Sequence, residues 1–172
     1  MKDDYGEEVK PNPPRKPKHS REGNVVLAWT TECYLALDCD MKAKEEVVKF
    51  AEEYSKVQSL GNSLVARTSY GNGQVDLFWN KLNNYCIIFG KRLTWEEIKW
   101  HLDECFRLGI INRGFRKLRK FGSITIRVNA KNNKIPKPAI VRYFSNGHRK
   151  KDREGVKRFF EHWKRCKNVG MD

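Results

Sequence analysis

Leu35-Ala36-Leu37-Asp38-Cys39-Asp40 is the stretch on which the reading of this chain turns. Successive strand residues point to opposite faces, so an apolar run ending in acids at i and i+2 delivers both carboxylates to one side of a sheet. Leu35, Leu37 and Cys39 then form one set, and Tyr34, Ala36, Asp38 and Asp40 the other. Working outward, the pattern predicts a strand over Val25–Asp38 and a helix over Lys42–Lys56, where Val47, Phe50, Ala51 and Tyr54 recur at helical spacing. Ser63–Ser69 and Gln74–Trp79 read as two extended runs joined by Tyr70-Gly71-Asn72-Gly73, a hairpin signal. Tyr85–Phe89 is a further short strand, and Thr94, with Glu97 three residues on, opens a second helix that runs through Leu108 and stops at Gly109. A strand at Ser123–Asn129, a polar loop at Lys131–Pro138, a strand at Ala139–Phe144 and a basic helix from Lys151 to Cys166 complete the pattern.

The core order is strand, helix, strand, strand, helix, strand. It predicts an α+β fold, a split β-α-β antiparallel sheet with both helices on one face, the other face open, and a basic C-terminal helix besides. Residues 1–23 mix charges with Pro11, Pro13, Pro14 and Pro17 and read as a disordered tail, leaving residues 24–172 as one domain. Apolar runs such as Val25–Trp29 fall far short of the roughly 20 residues a membrane-spanning helix needs. Five scattered cysteines, odd in number and without a visible export leader, point to a reduced, cytoplasmic protein.

The chain carries a net charge of +14, distributed as +1 over residues 1–23, −2 over 24–90 and +15 over 91–172. That last figure exceeds the net charge of roughly 2–8 that solubility asks of a small domain. A surface that meets a polyanion explains the excess, and nucleic acid, DNA before RNA, is the expected partner, bound with counterion release. Backbone contacts are expected from Lys131, Lys134 and Lys137 in the polar loop and from Arg149, Lys150, Lys151, Arg153, Lys157 and Arg158 on the last helix. Phe159, Phe160 and Trp163 lie among those charges at a spacing that favours core packing over base stacking.

Sorting every strand by parity gathers Asp38, Asp40, Asp76, Arg67 and Arg127 on the open face. Two carboxylates on a strand end can hold Mg²⁺ or Mn²⁺, a third can complete the site, and nearby arginines suit a nucleoside triphosphate. Two plainer readings stand beside this one: an Asp at a strand end that caps a helix near Met41, and a Gly71-Asn72-Gly73 that is a bare hairpin turn.

Leu35-Ala36-Leu37-Asp38-Cys39-Asp40, followed by a helix and then Arg67-Thr68-Ser69-Tyr70-Gly71-Asn72-Gly73, resembles the catalytic core of the archaeo-eukaryotic primases and primase-polymerases. The resemblance covers about residues 33–128. It implies a recognition-motif-like sheet, divalent metal and nucleotide polymerisation in DNA replication, with replication proteins as further partners. It implies metal-binding, catalytic roles for Asp38 and Asp40, and nucleotide contacts from Ser69, Gly71 and Gly73. Arg127, in Ile124-Thr125-Ile126-Arg127-Val128, is similar to an arginine of related archaeal chains. The family's histidine is absent: its place falls at Gln74 or Asp76. Either Asp76 serves as the third carboxylate, or the site has lost polymerisation and kept nucleic-acid binding. A nuclease built from the three acids is a further option.

His101-x-x-x-Cys105 and His162-x-x-x-Cys166 share a one-turn spacing that could form a Cys₂His₂ zinc site if the helices met. Buried cysteines and surface histidines explain the pattern more simply, and zinc is disfavoured. The histidines, at 19, 101, 148 and 162, form no His-x-His pair of the kind a rolling-circle initiator needs.

Overall fold

The continuous apolar run Tyr85-Cys86-Ile87-Ile88-Phe89 lies fully buried in the computed structural model, which describes residues 18–19, 25–26, 28–131 and 134–166. Apolar side chains on both sides of a strand require cover on both faces, and the remaining elements supply it. In chain order these are β1 (Lys18–His19), β2 (Val25–Val26), β3 (Ala28–Thr31), β4 (Tyr34–Ala43), α1 (Lys44–Val57), β5 (Ser63–Val75), β6 (Lys81–Arg92), α2 (Trp95–Arg107) and α3 (Arg113–Arg116). A 3₁₀ turn (Lys117–Lys120), β7 (Ile124–Arg127), β8 (Ala139–Phe144) and α4 (Lys150–Arg165) follow.

The main sheet has the order β4-β6-β5-β8, antiparallel at every pairing. Strands β4 and β5, joined by α1, therefore run parallel with β6 between them, the split β-α-β unit that the sequence predicts. Within it, Leu37, Ile87 and Val65 share one level, and Asp38, Cys86 and Ala66 the next. The expected tail over 1–23 lies outside the described residues except at Lys18–His19, which pairs with Val25–Val26.

Three features depart from the expected architecture. The Ile124–Arg127 strand does not join the main sheet; it pairs with β3 in a separate two-stranded ladder, Ala28 opposite Arg127 and Thr31 opposite Ile124. Strand β8 takes the fourth place, beside β5. Second, the glycines at 71 and 73 do not close a hairpin. Strand β5 runs on through them to Val75 as an irregular stretch in its pairing with β6, and the chain reverses at residues 76–80. Gly71 fits there because its missing side chain lets the carbonyl of Leu82 press against it, while Asn72 and Gly73 take left-handed φ of 58° and 80°.

Third, the helices cover both faces. Phe89 meets Tyr54 of α1 edge-on, and the Tyr54 hydroxyl lies 2.7 Å from Nδ1 of His101 in α2, so α1 and α2 share a side. Gly90 points to the opposite side, where a Cβ would overlap the carbonyl oxygen of Asp152 in α4. Gly155 in turn rests on the Phe89 carbonyl and the ring of Tyr34, while Phe159 of α4 packs on Trp29 at 5.8 Å between centroids. Gly90→Ala should consequently push α4 off the sheet and lower stability by about 2 kcal/mol, the usual cost of forcing an extra carbon into a filled interface. Thermal unfolding checks this, and an unchanged midpoint would show that α4 is not seated on Gly90.

Helix α2 forms as its signals dictate: the Thr94 hydroxyl accepts from the Glu97 backbone, Glu97 reaches back to the Thr94 N–H, and Gly109 ends the helix at φ 79°. Helix α1 starts at Lys44 with Ala43 as its N-cap, so neither Asp38 nor Asp40 caps it. Among the described residues no helix is long and apolar enough to cross a membrane.

Candidate functional site

Asp38 leaves the apolar run on the α4 side of the sheet, level with Cys86 and Ala66. Just beyond it β4 bulges: pairing shifts between Cys39 and Lys42, and Met41 takes a left-handed φ of 53°. Asn84 holds this strained turn. Its side-chain oxygen accepts the Met41 N–H at 2.9 Å, and its amide donates to the Ser69 hydroxyl at 2.7 Å, tying β4 to β5 across β6. Asp40, on the bulge, is exposed and accepts from the Asn112 amide at 3.2 Å.

These residues form one wall of a cleft of about 230 Å³; Asp38, Asp40, Thr68, Ser69 and Asn84 line it from the sheet, and Thr125, Ile126 and Arg127 of β7 from the other side. Lys131 and Ile135 close its edge. Asp38 is partly buried, and its carboxylate has no hydrogen-bond partner among the described residues. Burial first, and the charge of Asp40 second, push its pKa up to about 7 against the pull of Arg127.

Arg127 reaches the cleft wall from β7, but its guanidinium is already engaged. It donates to the carbonyls of Thr68 and Asn129 and, at 2.9 Å, to that of Pro136. Burial lowers its pKa from the ordinary value, though not enough to discharge it. Arg127 thus clamps β5, β7 and the following loop together while placing a positive charge opposite Asp38.

The other expected site residues lie elsewhere. Arg67 is level with Tyr85 and Cys39, on the α1 side, where it donates to the Tyr70 hydroxyl at 2.8 Å and covers the Tyr70 ring at 4.2 Å. A register shift between Arg67 and Ser69 breaks the simple odd-even sorting, so Ser69 joins Asn84 in the cleft and Arg67 does not. Asp76 sits in the turn after β5, beyond the Val75–Lys81 pair, which itself lies five residues along β6 from the level of Asp38, or about 17 Å at the strand rise. Its carboxylate accepts from the backbone N–H groups of Phe78 and Asn80 and from the Asn80 amide, so it organises the turn. Gly71 is buried against Leu82 and Gly73 is out on the irregular stretch; neither lines the cleft.

Among the described residues no three His, Cys, Asp or Glu side chains gather as a metal-holding group. The cation-binding potential of the cleft therefore rests on the two carboxylates of Asp38 and Asp40, supplemented by the neutral oxygens of Ser69, Thr68 and Asn84. His101 and Cys105 lie on α2, and His162 on α4 with Cys166 at its C-cap, on opposite sides of the sheet, so the two pairs do not meet. Burial pushes the thiols of Cys86 and Cys105 up to about 12, which leaves them unreactive.

Of the expected backbone-contact residues, Lys131 stands exposed at the cleft edge, and Arg149, Lys150, Lys151, Arg153, Lys157 and Arg158 are exposed along α4. Arg158 also pairs with Glu154 at 3.8 Å. Lys134, too, is exposed. Lys137 serves a different purpose, donating to the carbonyls of Trp163 and Cys166 at the C-terminal end of α4 and covering the Trp163 ring at 4.0 Å. Because α4 packs on the same side of the sheet as the cleft, its outer basic face and the Asp38 site share one side of the molecule.

Thr68, Asn84, Thr125, Ile126 and Ile135 line the cleft without being site candidates in the sequence. Extending the Tyr85 strand backwards to match the length of its neighbour would have put Asn84 beside Asp38. No family model, curated protein or solved structure matches the chain. Its class rests on the fold and the site: an α+β protein whose split β-α-β sheet carries a cleft with two carboxylates, Arg127 and Lys131, beside a basic helix.

Proposed function

We propose that this chain is a primase-polymerase-like nucleotidyltransferase that acts on nucleic acid, DNA before RNA, with Mg²⁺ or Mn²⁺ held by Asp38 and Asp40. The observation that carries the reading is Asp38 itself: a partly buried carboxylate facing a cleft without a hydrogen-bond partner among the described residues, with a second carboxylate at the rim. Leaving such a group unpaired is costly unless a cation uses it. The ion would supply charge neutralisation at a transferring phosphoryl group. Asn84 positions Ser69 and the bulge that carries Asp40, and the hydroxyls of Thr68, Ser69 and Thr125 offer hydrogen bonds to sugar or phosphate oxygens. Lys131 and the outer face of α4 supply the positive surface along which a strand would run. The compartment that fits this work, and the unpaired cysteines, is the cytoplasm.

A non-catalytic nucleic-acid-binding role in replication is the second reading. It is favoured by the distance of Asp76 from the cleft and by the engagement of the Arg127 guanidinium with three carbonyls. Incubation of the full chain with a labelled primer-template, nucleoside triphosphates and Mn²⁺ separates the two. The first reading predicts lengthened primer, reduced at least tenfold in Asp38→Asn/Asp40→Asn while salt-dependent DNA binding persists. Binding without extension would leave the accessory role, and shortened substrate would indicate a nuclease.

A further inference from the structure

The most exposed apolar group of the described molecule is the tip of the β5–β6 hairpin. Leu77, Phe78 and Trp79 stand in sequence with 95%, 83% and 83% of their surface open. Three consecutive large apolar side chains at a turn are a standing cost in water. The turn is not a loose one: Asp76 accepts from the N–H groups of Phe78 and Asn80, its own N–H donates to the Asn80 carbonyl at 3.0 Å, and the Trp79 N–H reaches the Asp76 carbonyl at 3.2 Å. Trp79 is held at a left-handed φ of 64°, a conformation that a bulky residue adopts only when its surroundings impose it. A braced turn thus fixes two aromatic rings and a leucine outward.

We infer that this tip is a stacking wedge for nucleic-acid bases, packing Phe78 and Trp79 against unpaired or terminal bases of a strand whose backbone follows the cleft and α4. The inference rests on the nucleic-acid reading above and adds a base-contacting element to it. Register places the last paired level of the hairpin, Val75 with Lys81, about 10 Å beyond the Asn84 level of the cleft, roughly three nucleotide stacks further on. Charge favours this occupant over a lipid surface. Between Arg67 and Tyr85 the hairpin carries only Arg67, Asp76 and Lys81, with the Asp76 carboxylate tied into the turn, so the tip neither repels phosphates nor offers the basic cluster that anchors a protein to anionic lipid. The stem is rich in amides, with Asn72, Gln74, Asn80, Asn83 and Asn84, and the whole chain is strongly positive. Flat aromatic faces stack on any base, which suits a sequence-tolerant strand contact.

The test uses the full chain without metal, so that it does not depend on Asp38 and Asp40. Binding to a fluorescent single strand and to a forked duplex with 2-aminopurine at the junction is measured across a salt series for wild type, Phe78→Ala/Trp79→Ala and Trp79→Tyr. The wedge predicts at least a tenfold loss of affinity in the double variant, an unchanged slope of log affinity against log salt, loss of the 2-aminopurine response, and recovery in Trp79→Tyr, which keeps a stacking ring. Equal affinity and response in all three proteins overturns the wedge but leaves the nucleic-acid reading standing, whereas no binding by wild type overturns both. Binding of wild type to phosphatidylcholine–phosphatidylglycerol vesicles, or its self-association, either one abolished by the double variant while DNA affinity is unchanged, would assign the tip to a membrane or to a second copy and overturn the wedge. The exposed positions leave the core intact, and coincident thermal midpoints of the variants verify this.

Discussion

Arg127→Leu is expected to lower the unfolding free energy by about 3 kcal/mol, measured as a shift in the urea midpoint at constant m. The guanidinium donates to Thr68 on β5, to Asn129 just past β7 and to Pro136 in the loop, so one side chain joins three segments. Removing it orphans acceptors at a partly buried seam, each costing up to roughly 1–3 kcal/mol and partly relieved where the cleft admits water. Arg127→Lys should recover less than half of the loss, because one ammonium cannot span three carbonyls in a fixed fork. A change within about 0.5 kcal/mol, the range of ordinary surface substitutions, would mean that β7 is held by its ladder with β3 alone.

The second large effect is on pH dependence. Asp38 has a folded-state pKa of about 7, above the roughly 3.9 of an unfolded aspartate. The folded chain therefore keeps a proton that the unfolded chain has lost between those values. The stability linked to Asp38 is fully present below about pH 4, declines as the pH rises, and is gone above about pH 7, a change on the order of 4 kcal/mol. Asn at this position does not titrate. Asp38→Asn should thus match wild type near pH 4 and exceed it at pH 8 by on the order of 10 °C in thermal midpoint. Parallel stability curves for the two proteins would show that Asp38 is solvated and unstrained. Mn²⁺ at pH 8 should raise the wild-type midpoint and leave that of Asp38→Asn in place, since a ligand that binds only the folded state stabilises it by mass action.

What was legible in the sequence was local. The Thr94–Glu97 box, the Gly109 stop and the amphipathic face of α1 all depend on residues close in the chain and formed as read, and the split β-α-β arrangement formed with β8 in place of the Ile124–Arg127 strand. Parity held for Asp38 and for Ile124-Thr125-Ile126-Arg127, where Ile124 and Ile126 are buried while Thr125 and Arg127 are partly exposed. It failed at Arg67 because an irregularity in the ladder resets the alternation, and no sequence period records a bulge. The Asn-Gly signal at Gly71-Asn72-Gly73 was real chemistry put to another use: positive φ served an irregular strand, while an Asp–Asn network closed the hairpin around Leu77-Phe78-Trp79, residues that read as strand interior. The partner of β7 lay outside local reach too. Ala28–Thr31 merges in sequence with the strand that follows it, and only the turn at Thr31–Tyr34, where the Thr31 hydroxyl accepts from the N–H groups of Cys33 and Tyr34, separates them.

The proposed function requires Asp38 and Asp40 to form one cation site in the cleft. Titrating Mn²⁺ into the full chain at pH 8, with free ion followed by electron paramagnetic resonance, tests it without assuming any activity. One bound ion per chain is expected in wild type and none in Asp38→Asn/Asp40→Asn, with Asp76→Asn binding like wild type. Binding that survives the double substitution, or none in wild type, would contradict it.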